Sequence, residues 1–204
     1  WKDGDTILLQ LPMKITTRTW EKNQNAISVD RGPLSYSLAI KERWEKFGNR
    51  TNDWPEWEVF AGSPWNYGLV LDKKSFTVAR REGPLPAQPF TPDTAPISLK
   101  ARARKIPNWQ ADANDLVGKL QPSPVKSDQP VEEVTLIPMG AARLRIAMFP
   151  VIGSGPDAHY WIAPAQPKPS RYKASAAHVF EGDTVEALGD GLEPGQLIEV
   201  GPLQ

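Results

Sequence analysis

The chain has 204 residues, and its 24 Lys+Arg balance 24 Asp+Glu, so no net field draws it toward nucleic acid or an anionic membrane. It has no cysteine, which excludes disulfide staples, thiolate nucleophiles and sulfur-ligated zinc; its two histidines, His159 and His178, are too far apart for an HExxH-type metal motif. Proline at 21 and glycine at 15 make long helices hard to place, and no apolar run approaches the roughly 20 residues of a membrane-crossing helix.

Residues 6–11 (TILLQL) follow a DGD turn and end at Pro12, and 13–20 (MKITTRTW) is rich in Ile and Thr, so two paired strands are expected. Residues 26–30 (AISVD) and 34–40 (LSYSLAI) are strand-like on either side of the Arg31-Gly32-Pro33 turn. Leu34, Tyr36, Leu38 and Ile40 recur with period two. Residues 49–67 carry three Trp, a Phe and a Tyr among turn formers and read as an elaborated loop around a short strand. Residues 68–72 and 75–80 suggest a hairpin across Lys73-Lys74. After a proline-dense connector at 84–96, residues 97–106 (ISLKARARKI) alternate apolar or small residues with Lys and Arg, as a half-exposed strand does. A second proline-rich linker covers 121–130, and 133–138 and 143–151 complete the strands.

About ten short strands between Pro/Gly turns suggest an all-β fold, an antiparallel β-sandwich of jelly-roll type with proline-rich connectors. The expected division is a sandwich over 1–151 and an extended or partly helical C-terminal strap over 152–204 that wraps it. The opening Trp1-Lys2-Asp3-Gly4-Asp5 has neither an initiator Met nor a signal segment and reads as an internal piece of a longer polypeptide.

Chemistry-bearing clusters are few. His178, Glu181 and Asp183 put an imidazole and two carboxylates within six residues, a candidate acid/base or catalytic group whose alternative is a surface turn. Trp54, Trp57, Trp65 and Tyr67, with Asp53 and Asn66 beside them, are the candidate carbohydrate-binding set: flat rings stack on sugar faces while carboxylate and amide groups bond hydroxyls. The alternative is that these rings pack over a core or a neighbouring domain. Trp1, Trp20, Trp44, Trp109 and Trp161 stand singly and read as core or edge anchors, and Asn49-Arg50-Thr51 fits a glycosylation sequon. No serine elbow, phosphate loop or metal-ligand spacing is present, so no metal or cofactor is expected.

WKDGDTILLQLPM at 1–13, DRGPLSYSL at 30–38, WNYGL at 65–69, LIPM at 136–139, AMFPVIG at 147–153 and SAAHVFEGDTVEALGDGLEP at 175–194 occur in an order that resembles the C-terminal β-sandwich region of the β-L-arabinofuranosidase family, glycoside hydrolase family 127, and its bacterial relatives. The resemblance implies an upstream (α/α)₆ barrel in which a Glu and several Cys hold zinc and one Cys is the nucleophile. This chain has no cysteine, so none of those catalytic residues carries over to it. The resemblance thus implies a noncatalytic accessory domain whose partner is the catalytic helical barrel of an exported, periplasmic or extracellular bacterial protein. A carbohydrate-binding module for plant polysaccharide and a free-standing glycoside hydrolase with a site on the sandwich are the alternatives.

Overall fold

The computed structural model describes residues 2–47, 55–72, 75–111 and 116–163. The chain divides into two compact units, one of Trp1–Arg43, Val59–Trp109 and Lys119–Ile162, the other of Trp44–Glu58, Gln110–Gly118 and Ala163–Gln204. Among the described residues there is no α-helix, only strands and two short 3₁₀ turns, Glu21–Asn23 and Met139–Ala141. The strands are β1 (Ile15–Trp20), β2 (Ala26–Arg31), β3 (Leu34–Leu38), β4 (Glu42–Phe47), β5 (Glu56–Ala61), β6 (Tyr67–Val70), β7 (Phe76–Arg80), β8 (Ile97–Lys105), β9 (Val125–Lys126), β10 (Val131–Pro138), β11 (Val151–Ile152) and β12 (His159–Tyr160). Ten of them form one curled sheet in the order β1-β2-β3-β10-β8-β6-β11-β9-β12, with β7 also on β8, while β4 and β5 pair separately. The fold is all-β and sandwich-like.

In the first unit β8 shows the alternation its sequence predicts: Leu99, Ala101 and Ala103 are buried, while Ser98, Lys100, Arg102 and Arg104 are half-buried on the opposite face. That face is tied by charge. Lys100 donates to Thr135 Oγ1 at 3.0 Å and lies 3.5 Å from Glu133, Arg102 pairs with Asp72, and Arg104 donates to the Gln129 carbonyl. The inner face meets Ile27 and Val29 of β2, Tyr36 and Leu38 of β3, and Leu136 of β10 in one core. Each such aliphatic or aromatic side chain taken fully from water contributes about 1.5–3 kcal/mol before entropy is subtracted.

The pairing differs from the sequence expectation at four places. Residues 68–72 and 75–80 do not form a hairpin. β6 pairs with Tyr67↔Lys105 to Leu69↔Ala103 and β7 with Phe76↔Ala101 to Arg80↔Ile97, so both lie end to end along one edge of the nine-residue β8. Residues 143–150 are not a strand. Phe149 exchanges both backbone hydrogen bonds with Ile27, at 2.8 and 2.9 Å, and Ile146 O accepts from Leu38 N at 2.8 Å. This segment takes over the edge of β2 where β3 peels away, and Pro150, which has no N–H, ends the ladder. The linker at 121–130 contributes β9, which runs parallel to β11 and β12. Prolines at 122, 124 and 130 hide so short a strand from any periodicity test.

The fourth difference is residues 6–11, which are exposed and outside every strand. Lys14 O accepts from Gly32 N at 3.2 Å, and the Met13 sulfur fills the space where a Cβ on Gly32 would stand. Gly32 has φ +57°, a left-handed turn position that favours glycine. Anchored on this turn, the chain before Met13 leaves the sheet without doubling back on β1. The expected strap enters the description only through β11, β12 and the residues up to 163; the rest of 152–204 lies outside the described residues.

Candidate functional site

Two groupings stand out, one in each unit. In the second, Trp44 on β4 and Trp57 on β5 meet edge to face, ring centres 6.2 Å apart and planes at 77°. Lys46, two residues after Trp44 and so on the same face of β4, places Nζ 5.8 Å from the centre of the Trp57 ring. Trp44 is 45% exposed and Trp57 46%. Burying an indole is among the larger apolar gains available to a protein, so two half-open rings in contact mark a surface suited to a partner. Their near-perpendicular planes form a corner. The two rings therefore do not share one flat platform.

In the first unit the grouping is ionic. Tyr67 and Lys105 are opposite each other in the β6–β8 register, and Glu132 stands opposite Ala103 on β10, which sets all three on the core face of the sheet near its rim. The Tyr67 hydroxyl donates to Glu132 Oε2 at 3.0 Å, Lys105 Nζ lies 3.1 Å from Glu132 Oε1, and the same ammonium sits 5.9 Å from the Tyr67 ring centre. Burial, reinforced by the carboxylate, pushes the Tyr67 phenol above its ordinary value. The Glu132 contact raises Lys105, and the Lys105 contact lowers Glu132. Every shift moves away from neutrality: the phenol stays protonated, the amine charged and the carboxyl ionised. A base, a nucleophilic lysine or a general acid needs the opposite displacement. The trio is built to hold three strands together.

The candidate carbohydrate-binding residues separate. Trp57 belongs to the exposed corner. Trp65 packs edge to face on the buried Trp109, centres 5.2 Å apart at 79°, and Trp109 in turn lies 5.2 Å from Trp161. Asn66 Nδ2 donates to the Ile106 carbonyl at 3.0 Å, and Tyr67 is held by Glu132. These three residues are committed to the protein's own packing. Trp54 and Asp53 lie outside the described residues, as do His178, Glu181, Asp183 and the 49–51 sequon.

Trp109 and Trp161 are core residues, in line with their reading as anchors, but Trp44 is not. Its sequence carries a signal for this: Glu42-Arg43-Trp44-Glu45-Lys46 gives the indole no apolar neighbour at i±2, so a strand there has no apolar face to bury. Arg43 lies over the Phe60 ring, 4.8 Å from its centre, and Arg143 bonds Glu42 Oε2 at 2.7 Å.

No group of three or more His, Cys, Asp or Glu is placed to hold a metal among the described residues, and no helix among them is long and apolar enough to cross a membrane. No family model, curated protein or solved structure matches the chain.

Proposed function

We propose that the chain is a noncatalytic accessory β-sandwich of a glycoside-hydrolase-like protein, and that the Trp44–Trp57 corner is where it packs against a catalytic helical barrel. The observation that carries this reading is the exposed indole pair: two large rings, each about half open, meeting edge to face. Two further features support it. The ordered motifs from 1–13 to 175–194 resemble the sandwich that follows such a barrel. The Tyr67–Lys105–Glu132 trio is tuned toward fixed charge, which suits a structural role.

The test uses the polypeptide encoded by the full reading frame that contains this chain. Hydroxyl-radical footprinting of that polypeptide and of the isolated chain is expected to show Trp44 and Trp57 oxidising more slowly in the former. Affinity electrophoresis of the isolated chain in gels of arabinan, xylan and cellulose is expected to show unchanged mobility. Retardation that disappears in Trp57→Ala would replace the docking surface by a polysaccharide site.

A further inference from the structure

We propose that two copies of this chain exchange residues 6–11, each laying that segment as a strand along the free edge of β1 in the other. The inference is independent of the accessory-domain reading. The sheet begins with β1, which among the described residues pairs only with β2, and β7 pairs only with β8. Beside the start of β1 lies a shallow groove of about 440 Å³, with Ile15, Thr16 and Thr17 on one bank and Leu71, Asp72, Ser75 and Phe76 on the other. An open sheet edge beside a groove with apolar residues at Ile15, Leu71 and Phe76 is a template for an added strand.

The chain itself carries a strand of matching chemistry. In extended form Ile7, Leu9 and Leu11 share one face, and they are 66%, 74% and 63% exposed. The opposite face, Thr6, Leu8 and Gln10, is more polar. Seated beside β1, the first face enters the groove against Ile15, Leu71 and Phe76, and the backbone groups of both strands find partners.

The copy that supplies the strand is not the copy that receives it, because the connection is too short and of the wrong chemistry. Only Pro12, Met13 and Lys14 separate residue 11 from β1. A three-residue hairpin loop favours glycine, or a similarly permissive residue, at a left-handed position; here proline fixes its own φ and neither Met nor Lys favours that conformation. Met13 and Lys14 are moreover held against Gly32. Short hinges that prevent fold-back promote exchange between copies, and reciprocal exchange closes into a two-fold dimer.

The absence of native cysteine makes the test clean. A Leu9→Cys protein is mixed with an affinity-tagged Thr17→Cys protein and treated with a short bismaleimide. A cross-linked heterodimer is expected, and light scattering of the unmodified chain is expected to give the mass of two copies. Leu9→Asp is expected to weaken dimerisation about tenfold or more, with near-ultraviolet circular dichroism unchanged. A monomeric mass, no cross-link in the mixture, or a cross-link confined within a Leu9→Cys/Thr17→Cys double variant would each overturn the proposal.

Discussion

The Tyr67 hydroxyl reaches Glu132 at 3.0 Å across an intervening strand, joining β6 to β10 over β8, with Lys105 of β8 closing the trio. The bond gives the fold's stability a pH dependence at each end. Tyr67 titrates above its ordinary 10.0 when folded, as does the fully buried Tyr36, in both cases chiefly through burial. A raised folded value means that this stabilisation is complete below pH 10.0 and is lost as pH rises through the folded value. Glu132, lowered from 4.5 chiefly by Lys105, has the opposite sense: its contribution is present above pH 4.5 and is lost as pH falls through the folded value. The urea midpoint is therefore expected to be flat between these limits and to fall on both sides. Tyr67→Phe is expected to cost about 1 kcal/mol at neutral pH and to make the alkaline fall shallower. An alkaline limb unchanged in Tyr67→Phe would disprove this assignment.

Trp109 is 1% exposed and lies between Trp65 and Trp161, so Trp109→Ala removes the centre of a three-indole stack. The expected cost is about 3–5 kcal/mol, a large part of a total that for single domains is about 5–15 kcal/mol. Denaturant titration followed by far-ultraviolet circular dichroism measures it. A loss below about 1 kcal/mol would contradict the packing described.

Gly68 tests close packing around β6. A Cβ there would stand 2.6 Å from Ile152 Cδ1 and 3.1 Å from Ile106 Cδ1. Gly68→Ala is expected to cost about 1–3 kcal/mol through overpacking. Because the closest atom is the tip of Ile152, Ile152→Val is expected to restore part of that loss, and a double-mutant cycle reads the coupling. Strict additivity of the two substitutions would contradict contact between these positions.

The strands that bury one face regularly were legible in the sequence. The alternation over 97–106 matches the burial of residues 98–104 in β8, and Tyr36 and Leu38 are buried as their period-two spacing predicts, though Ser37 between them is buried too. Leu34, in the same register, is exposed because it sits at the turn, where the sheet no longer covers it. What depends on the order of strands was not legible. β6 and β7 share one edge of β8 only because β8 is long enough for both, and nothing in 68–80 encodes that length. The Tyr67–Lys105–Glu132 trio requires the order β6-β8-β10, and the Trp44–Trp57 corner requires the pairing of β4 with β5. β4 itself escaped because Glu42, Arg43, Glu45 and Lys46 leave it without an apolar face.

The most direct measurement is the oxidation rate of Trp44 and Trp57 by hydroxyl radicals, compared between the isolated chain and the polypeptide of its full reading frame. Protection of both indoles in the longer polypeptide, with the exposed Phe90 unchanged as an internal reference, is the result expected of a docking corner. Equal oxidation in the two, or a reading frame that encodes no helical barrel, would contradict it.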